Sequence, residues 1–154
     1  MEIIGWEFQD QQVGREVISL VEKKLDIEFP SDYVDVALKY HGGSPSLEIF
    51  QISGHGKAVF GYLLSYDPDS SNYILEVYND IIDRLPDKKV IPFANDPFGN
   101  FICFDYRKDA DNPSIVFWEH EIAFDSSDLS LLYVASSFSE LLEMLCFPDE
   151  NSSD

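Results

Sequence analysis

The side chains in this sequence that could carry chemistry are three histidines, two cysteines and a large surplus of carboxylates. His41 precedes Gly42-Gly43, His55 sits between two glycines, and His120 stands between Glu119 and Glu121. No two histidines are three or four residues apart, so the HExxH pattern, which sets two imidazoles on one helix face, is absent. His120 and its two glutamates could ligate a metal, but zinc needs three or four convergent ligands. Calcium loops fail on spacing. Counted from Asp109, the sixth position is Ser114 and the twelfth His120; from Asp67 they are Asn72 and Tyr78. Neither run offers the glycine turn and the closing glutamate that the EF-hand uses. Asp105, Asp109 and Asp111 could gather magnesium, as acidic loops sometimes do. There is no GxSxG elbow, no GxxxxGK[ST] and no GxGxxG after a strand. Cys103 and Cys146 have no adjacent base to make a thiolate. In so acidic a chain, choosing two carboxylates as acid and base would be arbitrary. The expectation is a protein with no catalytic residues, no resident metal and no cofactor.

What positions these groups is the stretch from 90 to 105. Two apolar runs, 90–94 and 101–104, flank Asn95-Asp96-Pro97-Phe98-Gly99-Asn100. Proline fixes φ near −65°, glycine tolerates positive φ, and Asn and Asp side chains bond their own backbone, so the chain reverses here. The second arm is apolar on both faces: Phe101 and Cys103 point one way, Ile102 and Phe104 the other. Such a strand belongs in the middle of a covered sheet.

Charge narrows the function. There are 29 acids against 10 Lys and Arg in 154 residues, a net −19. Every Lys and Arg lies at or before Lys108, and residues 109–154 hold 11 acids. This disfavours direct contact with nucleic acid or an anionic membrane, whose phosphates require cations. It favours a basic partner, metal ions or simply solubility. The two cysteines lack CxxC spacing and read as buried thiols of a reducing compartment, and the N-terminal residues show neither a basic leader nor a long apolar run, so a cytoplasmic location is expected.

Periodicity predicts helices over 11–25 and from Ser31 to about 40, the latter started by Ser31 and Asp32 and stopped by Gly42-Gly43. Residues 47–53 and 58–64 read as strands, 73–85 as a third helix stopped by Pro86, and 114–119 as a strand with 121–124 as a candidate extension. Residues 129–133 form a short apolar segment. Ser137 and Glu140 make a capping box for a last helix to about Cys146. The fold class expected is α+β: a single domain over 1–147, with a mostly antiparallel sheet of five or six strands, about four helices around it and an acidic tail at 148–154.

Four motifs in this order resemble the SUKH superfamily. Phe29-Pro30-Ser31-Asp32-Tyr33 and Tyr40-His41-Gly42-Gly43 are similar to its Leu-Pro-x-Asp-Tyr and Asn-Gly-Gly signature, with Phe29 for Leu and His41 for Asn. Ile91-Pro92-Phe93-Ala94, Asp96, Gly99-Asn100 and Ile102-Cys103-Phe104-Asp105 resemble its hairpin. Val116-Phe117-Trp118-Glu119-His120-Glu121 resembles the strand that follows, and Ala135-Ser136-Ser137-Phe138-Ser139-Glu140-Leu141-Leu142 its closing helix. The resemblance implies a non-catalytic immunity protein that binds and neutralises a cognate toxin, often a nuclease; the alternative it implies is a regulatory or scaffold module like the eukaryotic cell-wall assembly regulator. A basic nuclease domain is then the expected partner, and a homodimer through an edge strand stays open. The resemblance brings no site residues with it. From charge and position, the expected toxin-binding residues are Asp109, Asp111, Glu119, Glu121, Asp125 and Asp128, with Tyr106 and Trp118 as aromatic anchors.

Overall fold

A two-residue ribbon opens the computed structural model, which describes residues 5–126 and 130–146: β1 (Trp6–Glu7) pairs with β2 (Ser44–Pro45). Between them lie α1 (Arg15–Leu25) and α2 (Ser31–Tyr40). α1 starts at Arg15, four residues later than its apolar periodicity suggests, and ends on Asp26 in the left-handed region. Glu16 in its first turn and Lys23 and Lys24 in its last match the helix dipole. Pro30, not Ser31, caps α2. Asp32 instead reaches across the fold, its Oδ2 accepting from the backbone N–H (2.9 Å) and hydroxyl (2.8 Å) of Ser139. The glycine stop is as expected, with Gly42 at φ +79°.

The hairpin β3 (Ile49–Ile52) and β4 (Gly56–Val59) follows. Then come α3 (Ile74–Ile81), a 3-10 turn over Ile82–Arg84, β5 (Val90–Asn95), β6 (Phe101–Asp105), β7 (Ser114–Trp118), α4 (His120–Asp125), β8 (Leu131–Ala135) and α5 (Phe138–Met144). Residues 121–124 are helical, not an extension of β7. The Glu119 side chain accepts from the Glu121 N–H and starts α4. The serine cap of α5 forms as its sequence predicts, with Ser137 Oγ accepting from Glu140 N–H at 3.1 Å. The Glu140 carboxylate closes the box one residue early, on the N–H and hydroxyl of Ser136. The expected tail lies outside the described residues.

The α+β class holds, with every strand pair antiparallel. The main sheet has four strands in the order β5-β6-β7-β8, so the hairpin arm with two apolar faces is central, as its pattern requires. The outer edge of β5 is covered by residues 61–64, through bonds between Gly61, Tyr62 and Asn95 and from Leu64 N–H to Phe93 O. That segment lines up as a fifth strand would, without being one.

Both faces of the sheet are packed. On one, Phe93 and Phe104 stack at 4.2 Å, with Tyr33 of α2 and Phe138 of α5 edge-on to them. On the other, Phe101 stacks on Trp118, and Arg84 covers the Trp118 ring at 5.0 Å. Among the described residues no helix is long and apolar enough to cross a membrane.

Candidate functional site

The acids singled out by charge do not form one patch. Asp109 and Asp111 lie exposed in the loop from 106 to 113, while Glu119 and exposed Glu121 lie beyond the other end of β7. Five residues of strand separate the two groups by about 17 Å. Asp109 accepts from the N–H groups of Asp111 and Asn112, which hold its carboxyl below the usual carboxylate range. Neighbouring Asp105 is pushed up by partial burial but pulled down further by its paired hydrogen bonds with Arg107, and is held low on balance. Asp125 closes α4, and Asp128 lies outside the described residues.

The two aromatic anchors are not surface residues. Trp118 is 0 % exposed, sandwiched between Phe101 and Arg84. Tyr106 is buried, its hydroxyl donating to Glu28 O at 2.7 Å. Both rings serve the core: Trp118 ends β7 and Tyr106 follows directly on β6, and both are buried against a sheet covered on both sides.

What the structure does assemble is a polar network at the turn between β5 and β6. Asp96 is buried; its Oδ1 accepts from the N–H groups of Phe98 and Asn100, each at 2.8 Å, and its Oδ2 from Asn100 Nδ2 at 2.9 Å. Asn100 Oδ1 then accepts from the His120 N–H at 2.9 Å and contacts His120 Nδ1 at 2.6 Å. The backbone N–H can only donate, so Oδ1 faces it and the proton of the imidazole sits on Nδ1. Glu119 stands 3.9 Å from the same nitrogen. Gly99 has φ +92°, and a Cβ there would lie 3.3 Å from His120 Cε1. The turn is thereby tied to the start of α4. Asn100→Ala strands Asp96 Oδ2 and two His120 donors, and should cost about 2–3 kcal/mol, measured by urea unfolding. The sequence marks this turn through Asp96, Pro97, Gly99 and Asn100. It does not mark the ring at its tip, Phe98, which is 68 % exposed.

A second network has the composition of a hydrolase triad without its connectivity. Buried Ser65 donates to Asp10 Oδ2 at 2.5 Å, and its oxygen lies 3.5 Å from His41 Nδ1. That nitrogen already accepts the Tyr66 N–H at 3.0 Å, so Nε2 carries the proton and donates to Gln11 O at 2.7 Å. The imidazole has no lone pair left to take a serine proton. His41 thus pins the 10–11 segment to the 65–66 segment. Beside it is an open cavity of about 490 Å³, lined by Val13, Val17, Leu20, Tyr66 and Leu75. Burial pushes the Cys103 thiol up, away from the thiolate form, with the Asp105 charge adding to the shift. Among the described residues no three His, Cys, Asp or Glu side chains converge as a metal site would need; Asp105, Asp109 and Asp111 do not gather.

Residues 13–144 match the model of the SMI1 / KNR4 family (SUKH-1). A stretch of 81 residues is 36% identical to the SPbeta prophage-derived uncharacterized protein YokK of Bacillus subtilis (strain 168); it covers 53% of this chain and 37% of that relative. The chain thus spans well under two thirds of that relative's length. The family match takes in α1, the central hairpin and α5 in one continuous span, and on it the chain belongs to the SMI1 / KNR4 (SUKH-1) family.

Proposed function

We propose that this chain is an immunity protein, a stoichiometric and non-catalytic binder that neutralises a cognate toxin, and that the toxin is a nuclease. The observation that carries this is the charge: 29 acids against 10 bases, with no Lys or Arg after Lys108. A nuclease domain must be basic to hold phosphate, and an acidic inhibitor meets it with a complementary field that speeds encounter and selects the partner. Membership of the SUKH-1 family supports the same reading. Asp109 with Asp111, and Glu119 with Glu121, are two acidic points at opposite ends of a rigid sheet that such a partner would meet.

Co-expression with a panel of nuclease toxin domains from the chain's own host and related strains tests it. Growth should be restored, and the two proteins should co-elute as a complex whose affinity falls steeply with added salt. Continued killing with both proteins present, and no complex, would end the reading. Rescue by substoichiometric amounts would show turnover instead of binding.

A further inference from the structure

The exposed apolar side chains include Leu20, Tyr133 and Phe98. A scattered exposed ring is ordinary on a protein surface and by itself carries nothing. Phe98 differs in how it is held. Its own N–H is bonded into the buried Asp96 carboxylate, and Asp96 N–H donates to Asn100 O at 3.1 Å to close the turn. Asn100 is bonded to His120, and Gly99 lies against the imidazole ring. The backbone that presents the ring is therefore fixed before any partner arrives, so docking costs little conformational freedom beyond two side-chain torsions. Pro97 beside it is exposed, and lines a shallow cavity of about 310 Å³ together with half-exposed Tyr62. The charges at this end of the sheet include Glu119 and Glu121, and Arg84 is already engaged over Trp118.

We propose that the 96–100 turn is a docking finger whose Phe98 ring enters an apolar socket rimmed by Lys and Arg side chains on the partner protein. The partner's identity rests on the immunity reading; the finger itself rests on geometry. Charge complementarity selects this occupant. A second copy of the chain would bring another net −19 to the same place, and an anionic lipid surface would repel Glu119 and Glu121. An aromatic ring on a preorganised turn, with Glu119 and Glu121 at the same end of the sheet, has the make-up of an interface hot spot.

The test uses the full chain and catalytically inactive variants of the same panel of nuclease toxin domains, with affinity measured by calorimetry. Phe98→Ala should weaken binding about 30-fold or more, with the melting temperature unchanged. Phe98→Lys should weaken it further, because it sets a cation against a cationic rim. Leu20→Ala, an equally open apolar site on α1, should bind as the parent does. If the parent binds and Phe98→Ala binds equally well, the finger is wrong and the immunity reading survives. If Phe98→Lys binds no worse than Phe98→Ala, the cationic rim is wrong. If the parent does not bind at all, the immunity reading fails and takes this partner with it.

Discussion

Phe104→Ala should remove about 3–5 kcal/mol of stability. Phe104 is buried at the centre of the sheet, stacked on Phe93 and met by Phe29, Tyr33 and Tyr106. These rings come from the segment before α2, from α2, from β5 and from the end of β6, so one truncation loosens four parts of the chain. The hole cannot close cheaply, because the hydrogen-bonded strands on either side hold β6 in place. A domain of ordinary stability has about 5–15 kcal/mol to lose, so the variant should melt roughly 6–20 °C lower. Calorimetry measures this directly. The comparison that gives it meaning is Phe98→Ala, where the same deletion at an exposed tip should change stability by less than about 0.5 kcal/mol. A small loss at Phe104 would mean that the aromatic cluster does not hold the sheet to α2 and α5.

The two phenylalanines also show what a sequence of this kind discloses. The apolar run at 101–104 announces a central strand because both its faces are apolar, and the structure puts it between two partners. The caps of α5 and the glycine stop of α2 were legible for the same local reason: a short-range bond between neighbours needs no knowledge of the rest of the fold. Asp32 shows where that reading ends. It looks like a dipole partner in a first turn, yet its carboxylate also bonds Ser139, 107 residues away. Trp118 and Tyr106 mislead for a related reason. Large amphipathic rings beside acids resemble interface anchors, and only the packed sheet shows that both face inward. The site suffered most, since acids close in sequence are set at two ends of β7 by a strand that the chain had to form for its core. Phe98 carries no mark in the sequence, because an aromatic residue in a turn has no signature of its own; its exposure follows only from Asp96 and Asn100 being turned inward.

Raising the pH should unfold this protein in one cooperative step above about pH 10, driven by tyrosines. Tyr33 and Tyr66 are buried with their hydroxyls 2.7 Å apart, and Tyr106 donates to Glu28 O. Burial raises all three well above the ordinary tyrosine value, with the nearby Glu22 charge opposing ionisation as well. For Tyr33 the bond to Tyr66 acts the other way but is outweighed. A group whose folded pKa is raised contributes stability that is intact below its unfolded pKa, near 10, and lost as pH climbs beyond it. Each such tyrosine then favours the unfolded chain by about 1.4 kcal/mol per pH unit, so three together drain about 4 kcal/mol per unit. By roughly pH 12 that exceeds half of the upper range for a domain of this kind. Tyrosinate absorbance and far-ultraviolet dichroism, followed together, check it. Tyr33, Tyr66 and Tyr106 should ionise only as the dichroism collapses. Tyr106→Phe gives up the bond to Glu28 and so lowers stability at neutral pH, but it should also reduce the alkaline slope by about a third, a signature that mere destabilisation does not produce. If all the tyrosines titrated along one smooth curve while the fold stayed intact, the buried hydroxyl pair and the capped Tyr106 would have to be open to water, and the packing between α2 and the sheet would be other than described.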